Sequence, residues 1–199
     1  MSSSVVEFFQ RGTRPSAAVR AAVPALVAAL DDETPDPLDI DLCGRSDHTV
    51  GDLATAVFLQ THAIPELADA VPLLLPLLSH PRFSLRMRAA HALSGIGPPA
   101  RPALMERYPS ADAEARHAIL TAFTLAFDDP VMVAFNVQAL ADPDFRVREQ
   151  AVSNLTYSPA ARAAVAPLVN DPDSGVRHSA HAALTRIDER LSRPTAEAL

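Results

Sequence analysis

The stretches that decide the fold are two nearly identical lines, DPDFRVREQAVSNL at residues 142–155 and DPDSGVRHSAHAAL at residues 171–184. Each line carries three apolar residues at intervals of four, a spacing that places them on one face of an α-helix. These residues are Val147, Ala151 and Leu155 in the first line and Val176, Ala180 and Leu184 in the second. The two lines therefore predict two equivalent amphipathic helices.

The same frame recurs three times upstream, which predicts a helical repeat array. The matching triads are Ala115, Ile119, Phe123; Leu85, Ala89, Leu93; and Val50, Ala54, Phe58. From the first triad to the last, the starts are 35, 30, 32 and 29 residues apart, which is room for two helices and a turn in each repeat. We expect one array over residues 1–199, with a capping helix at residues 3–10 and a frayed tail at about 192–199. Its five helical hairpins are expected at about 14–60, 66–96, 98–126, 129–156 and 158–190.

The composition favours helices. Hydrophobic residues make up 48% of the chain and aromatic residues only 5%, with no Trp, so the core is built from Ala, Leu and Val and an all-α fold is expected. The single cysteine, Cys43, leaves no intramolecular disulfide, and the N-terminal residues do not have the pattern of a signal peptide. The longest apolar run, at residues 70–78, is too short to span a bilayer. We expect a cytoplasmic protein that does not enter a membrane.

The DPD motif that opens both lines predicts helix starts. Asp142 and Asp171 are expected to cap the first amides of the helix, and the prolines that follow them suit its first turn. Asp144 and Asp173 would then lie near the positive end of the helix dipole.

The pattern DPDxxVRxxAxxAL resembles the HEAT repeat, in particular the short bacterial HEAT-like type associated with phycobilisome lyases. The resemblance implies a right-handed α-solenoid of about five hairpins, similar to armadillo-like folds. It also implies a structural ladder between repeats, formed by the aspartate before the second helix and the arginine six residues later. The matching pairs in this sequence are Asp142 with Arg148 and Asp171 with Arg177.

The upstream repeats depart from this ladder pattern. Arg86 is preceded by His80 at the aspartate position, Arg116 by Ser110, and the first repeat has Gly51 in place of the arginine. We therefore expect the upstream repeats to depend more on apolar stacking.

An acidic insert interrupts the first hairpin at about 31–49. Residues 31–52 contain eight acids and one arginine, a net charge of −7, which equals the net charge of the whole chain. Long loops of this kind tend to be functional, and a local negative potential raises the rate of encounter with a basic partner. A solvated loop without a partner is the alternative. The residues predicted to contact a partner are Asp31, Asp32, Glu33, Asp36, Asp39, Asp41 and Asp47.

No catalytic set, metal site or cofactor site is predicted. The chain has only six glycines and no glycine-rich phosphate loop, and its serines lack a nucleophile-elbow context. Asp39, Asp41, Cys43, Asp47 and His48 are residue types that bind metals, but their spacing fits neither a zinc site nor a calcium loop. His178 and His181 lie one turn apart on a predicted helix, which we interpret as a surface pair.

Two function classes remain. The first is a non-enzymatic protein-binding module, a scaffold or adaptor whose partner is another protein, and the acidic insert favours a basic partner. The second is an enzyme on the same scaffold, resembling either the phycobilin lyases or the HEAT-like DNA-alkylation-repair enzymes. A DNA-binding face should be basic and rich in aromatic residues, whereas this chain is acidic and has no Trp. Nucleic acid is therefore not expected as a partner, and the binding module is the preferred hypothesis.

Overall fold

The computed structural model of the protein describes residues 16–35, 48–59, 65–124 and 129–192. Within these ranges the chain is helical, without strands, and has one isolated antiparallel bridge between Pro35 and Thr49. The fold is all-α, as the sequence predicts. The predicted capping helix at residues 3–10 and most of the predicted frayed tail lie outside the described residues.

The described residues belong to two compact units, one up to Ala122 and one from Phe123. The expectation of a single array over residues 1–199 remains a prediction. The α-helices of the first unit are α1 (Ser16–Ala29), α2 (Val50–Leu59), α3 (Val71–Leu74), α4 (Phe83–Ile96), α5 (Arg101–Arg107) and α6 (Ala113–Thr121). Those of the second unit are α7 (Pro130–Ala139), α8 (Phe145–Leu155), α9 (Arg162–Val165) and α10 (Ser174–Leu191).

The three short helices α3, α5 and α9 are each extended at both ends by 3₁₀ segments. These segments are Pro65–Ala70 and Leu75–Ser79, Pro98–Ala100 and Tyr108–Ser110, and Pro159–Ala161 and Ala166–Asn170. Prolines such as Pro76 and Pro167 lie in the first positions of these segments, where their missing amides cost no hydrogen bond. With these extensions the observed helix pairs lie within a few residues of the five predicted hairpins.

The second helices of successive hairpins pack against each other within each unit. In the first unit α2 contacts α4 and α4 contacts α6, and in the second unit α8 contacts α10. The members of the predicted apolar triads are all buried except Leu184, which is half-buried. The small alanines in the middle of the triads let the helices approach closely. The predicted frame is therefore confirmed.

The expected helix caps are displaced by two residues. Asp144 and Asp173, rather than Asp142 and Asp171, are the N-cap residues, and their side chains accept hydrogen bonds from the first amides of α8 and α10. The Oδ1 atoms of Asp142 and Asp171 instead accept from the amides of Asp144 and Asp173, at 2.9 Å in both turns. The proline inside each DPD motif belongs to this turn rather than to the helix, so the helix begins later than the sequence indicated.

Candidate functional site

The two ends of the acidic insert lie side by side and form a stem. Pro35 and Thr49 make the antiparallel bridge, and the amide of Val50 donates to the carbonyl of Thr34 at 2.9 Å. Residues 36–47, which run between the two sides of the stem, lie outside the described residues. The stem therefore fixes the two points at which the segment 36–47 joins the first unit.

Three of the seven acids predicted to contact a partner are described, and all three have contacts inside the protein. Asp31 pairs with Arg82, and Glu33 pairs with Arg88. Asp32 accepts hydrogen bonds from the amide of Thr34 at 3.0 Å and from its hydroxyl at 2.6 Å. The other four, Asp36, Asp39, Asp41 and Asp47, lie outside the described residues.

Arg88 of α4 is the centre of a polar cluster that closes the stem. Its Nη1 donates to the Leu30 carbonyl at 3.0 Å and to Glu33 at 2.9 Å, and its Nη2 donates to the Thr49 hydroxyl at 2.8 Å. Its Nε donates to Asp52 at 3.0 Å. Only 10% of the Arg88 side chain is exposed, so one buried guanidinium joins both sides of the stem to the second hairpin. We call these five residues the Arg88 cluster.

The charges in the Arg88 cluster stabilise each other. Burial by itself would lower the pKa of Arg88, but hydrogen bonds to Glu33 and the charge of Asp52 outweigh it and raise the pKa. For Asp52, burial would raise the pKa, whereas hydrogen bonds from Thr49 and the guanidinium of Arg88 lower it below its ordinary value. Both groups are therefore held in their charged forms.

Gly51 makes room for this guanidinium. A Cβ atom at Gly51 would lie 2.5 Å from Nη1 of Arg88 and 2.7 Å from the Leu30 carbonyl oxygen. In the repeat frame Gly51 replaces the arginine found in later repeats. The sequence shows this replacement but does not explain it. The reason is steric, because the space beside Gly51 on α2 is occupied by the guanidinium of Arg88 from the following hairpin.

The ladder residues of the second unit form a joint between the fourth and fifth hairpins. Arg148 donates from Nε and Nη2 to the two carboxylate oxygens of Asp171, both at 2.8 Å, and from Nη1 to the main-chain carbonyl of Asp142 at 2.9 Å. Arg177 likewise donates from Nη1 to the carbonyls of Asp171 and Pro172 at 2.8 and 3.0 Å. Each arginine thus reaches the main chain of its own repeat, and Arg148 also reaches the acid of the next. We call the Arg148–Asp171 pair, with its carbonyl contacts, the Arg148 joint.

The carbonyl contact does not require an aspartate, which corrects the expectation for the upstream repeats. Arg86 donates to the carbonyls of His80 and Pro81 at 2.8 and 3.0 Å, and its Nη2 pairs with Glu114. The Nε of Arg86 is buried without a hydrogen-bond partner, in contrast to the Nε of Arg148. The upstream arginine therefore keeps a polar role in addition to the apolar stacking.

The described part of the chain settles only some of the other residues singled out in the sequence. His178 and His181 are exposed on α10, and Cys43 lies outside the described residues. In the described ranges no group of three or more His, Cys, Asp or Glu residues is arranged to hold a metal ion. The Arg88 cluster was missed by sequence reasoning, although a second arginine two positions after Arg86 on a helix otherwise rich in apolar residues was a signal for it.

None of the helices in the described part of the chain has the length and hydrophobicity needed to cross a membrane.

Comparison with known proteins identifies the repeat. The family of HEAT repeats matches residues 54–124, which include α4, α5 and α6. The match is to HEAT repeats in general and does not single out the phycobilisome-lyase type. No curated protein sequence matches the chain.

Two solved structures share a distant likeness with the chain. One is an engineered protein from the Northeast Structural Genomics Consortium, 20% identical, with 94% of this chain and 89% of that chain covered and a TM-score of 0.47. A second engineered protein from the same consortium is 18% identical, with 94% and 90% covered and a TM-score of 0.47. At this level of similarity the helices of the chain itself, rather than these two structures, define its fold.

Proposed function

We propose that this chain, whose residues 54–124 match the HEAT repeats, is a non-enzymatic protein-binding module whose acidic insert engages a basic partner. HEAT repeats are generally protein-interaction scaffolds, because stacked helical hairpins offer a large and rigid surface. The observation that carries the proposal is the stem, whose two sides are joined to α4 by the Arg88 cluster. A loop that leaves from a fixed base loses less conformational freedom on binding than one with free ends.

The charges divide into two groups with different roles. Asp31, Glu33 and Asp52 pair with Arg82 and Arg88, so their charge is largely used to hold the stem. The segment at 36–47 contains four acids (Asp36, Asp39, Asp41 and Asp47) and one arginine (Arg45), a net charge of −3. We assign partner recognition to these four acids and a supporting role to the acids of the stem.

The sequence of the loop fits a partner that is basic and partly apolar. Leu38, Ile40 and Leu42 alternate with Asp39 and Asp41. Acids set the rate of encounter with a positive surface, and apolar side chains add contact area once the complex has formed. We therefore expect a partner surface in which Lys or Arg residues surround apolar positions.

The experiment begins with isolation of the partner from native cells by affinity purification and mass spectrometry. Association and dissociation rates are then measured for the wild type and for Asp39→Asn/Asp41→Asn at low and physiological salt. We expect the association rate of the double variant to fall by about threefold or more at low salt, because long-range attraction scales with the charge present. Salt should slow association of the wild type more than association of the variant.

The matched control removes two acids elsewhere. Glu106 and Glu189 are exposed, and among the described residues none makes a hydrogen bond or ion pair with their carboxylates, so Glu106→Gln/Glu189→Gln changes the net charge equally without disturbing the stem. The control should associate at nearly the wild-type rate. Equal rates and equal salt dependence for the wild type and the loop variant would overturn the proposal.

A further inference from the structure

The second unit has an exposed cluster of two arginines on one tyrosine. The guanidinium carbons of Arg186 and Arg190 on α10 lie 5.9 and 6.0 Å from the ring centroid of Tyr157, which follows α8. Arg186 also donates from Nη1 to the Tyr157 hydroxyl at 3.3 Å. Both arginines are exposed, and Tyr157 is 36% exposed. We call these three residues the Tyr157 cluster.

The two arginines differ from Arg146, Arg148 and Arg162 of the same unit, each of which pairs with a carboxylate. Arg162, for example, holds Asp188 through two hydrogen bonds of 2.6 and 3.1 Å. In the described part of the chain, no carboxylate lies within ion-pair distance of Arg186 or Arg190. Their cations are held by an aromatic ring instead, and a ring attracts a cation without occupying its N–H groups.

We propose that the Tyr157 cluster is a docking site for an acidic, extended segment of another protein. A guanidinium presents a planar set of donors that matches a carboxylate, and an arginine held against a ring loses little further freedom on binding. Carboxylates are therefore the ligands that fit the donors left available. The site goes beyond the acidic loop, since it is in the other unit and selects the opposite charge.

The distance between Arg186 and Arg190 determines the distance expected between the acids of the partner segment. Residues four apart on a helix have neighbouring side chains about 6 Å apart. Alternate side chains of an extended strand point the same way and are also about 6 to 7 Å apart. An extended segment with Asp or Glu at every second position therefore offers one carboxylate to Arg186 and the next to Arg190.

Protein is favoured over nucleic acid as the source of these anions. Nucleic-acid affinity grows with the number of phosphates neutralised, and this cluster has two arginines on a chain with a net charge of −7. A short acidic segment needs only the two contacts, whereas a long polyanion would be repelled by the rest of the chain.

The test uses an alternating Glu-Thr peptide and its Gln-Thr counterpart as probes of the intact chain. In a titration followed by NMR, the side-chain Nε–Hε resonances of Arg186 and Arg190 should shift with the Glu-Thr peptide, and those of Arg162 should not. Arg186→Gln/Arg190→Gln should weaken the affinity about tenfold, as expected for the loss of two charge-assisted contacts. Arg162→Gln is the matched control and should leave the affinity unchanged.

Variants of the tyrosine separate positioning from contact. Tyr157→Phe keeps the ring and should bind within about twofold of the wild type, whereas Tyr157→Leu removes the ring that holds both cations and should weaken binding severalfold. Unchanged helix content by circular dichroism shows that the fold is intact. The proposal is overturned if the Gln-Thr peptide binds equally well or if an oligothymidylate binds more tightly than the Glu-Thr peptide. Self-association that depends on Arg186 and Arg190 would also overturn it, by identifying a second copy of the chain as the occupant.

Discussion

The Arg148 joint and the Arg88 cluster are two different connections between neighbouring hairpins. Both link neighbouring hairpins through a guanidinium with little exposed surface. In the Arg148 joint the arginine and the acid occupy the positions that the repeat pattern assigns to them, and the two repeats are 29 residues apart. In the Arg88 cluster the frame positions are 35 residues apart, and the pattern arginine is replaced by Gly51. Here Glu33 of the insert pairs with Arg88, which is not the arginine of the repeat pattern.

The difference teaches that the repeat pattern predicts contacts only where its spacing is regular. An insertion moves apart the backbone positions that contact each other in regular repeats. The hairpins must then be linked by residues that are not part of the repeat pattern. The contact between the first and second hairpins is accordingly more specific to this chain than the contact between the fourth and fifth. Three sets of substitutions test this contrast, from the largest expected effect to the smallest.

The largest effect is expected from Gly95→Ala, where α4 meets α2. A Cβ atom at Gly95 would lie 2.2 Å from the carbonyl oxygen of Phe58 and 2.6 Å from its carbonyl carbon, both of them main-chain atoms. The helices must move apart to accept it, and we expect a loss of about 3 kcal/mol in the free energy of unfolding. Urea denaturation followed by circular dichroism measures the loss.

Gly97→Ala is the matched control for this substitution. Its Cβ would be 3.8 Å from the nearest atom, but its φ of +71° and ψ of −130° form a conformation that alanine rarely adopts, so a loss of about 1 to 2 kcal/mol is expected. If Gly95→Ala cost no more than Gly97→Ala, the close approach of α2 and α4 would not be a constraint on stability.

An intermediate effect is expected from Arg88→Ala. The acids it leaves behind, Glu33 and Asp52, have side chains 49% and 37% exposed and can be rehydrated, so the loss should be about 2 to 3 kcal/mol rather than that of a fully buried pair. Hydrogen exchange should accelerate at the amides of Val50 and Gly51, which bond across the stem.

A double-mutant cycle sharpens this prediction. Gly51→Ala should be less harmful in the Arg88→Ala background, because two of the three atoms that crowd the new Cβ belong to the Arg88 guanidinium and have then been removed. Additive effects of the two substitutions would show that Gly51 is not required for the approach of Arg88.

The smallest effects are expected in the Arg148 joint, and they depend on pH. Arg148→Ala should cost about 2 kcal/mol and Arg177→Ala about 1 kcal/mol, because Arg148 holds both a carboxylate and carbonyls, whereas the hydrogen bonds of Arg177 are to carbonyls. The hydrogen bonds from Arg148 lower the pKa of Asp171 below its ordinary value of 3.8. The stability from this ionised carboxylate is therefore complete above that value and is lost as the pH falls through the lower pKa of the folded state.

Urea titrations at several pH values measure this dependence. The difference between the wild type and Arg148→Ala should be constant near neutral pH and should narrow below a pH of about 4. The difference between the wild type and Arg177→Ala should change less over the same range. Parallel pH profiles for the two variants would contradict a specific Arg148–Asp171 bond.

The sequence predicted most of the fold because the determining signals are local. The apolar triads and the hairpin limits can be predicted from periodicity within about 14 residues. The residues of the triads are buried as expected, apart from the half-buried Leu184. The caps were wrong by two residues because DPD offers two aspartates to the same helix start, and only the turn geometry decides between them.

The candidate site was harder to predict because its contacts are non-local. Arg88 is 36 residues from Asp52, 55 from Glu33 and 58 from Leu30, and no spacing rule relates these positions. The sequence indicated an acidic insert with surface charge, but not that Asp31 and Glu33 would turn inward to pair with arginines. Prediction of the partner acids at 36–47 therefore depends on charge and composition alone.

The stem has a consequence for protein engineering. Because Pro35 and Thr49 are bridged, any segment between them begins and ends at fixed points, and the entropic cost of closing a loop rises by only about 0.6 kcal/mol for each doubling of its length. A foreign peptide inserted between these two residues would meet a base already held by α4, so its length and sequence could be varied at little cost to the hairpin. The first hairpin is in this sense a grafting platform, on which recognition can be exchanged independently of the scaffold.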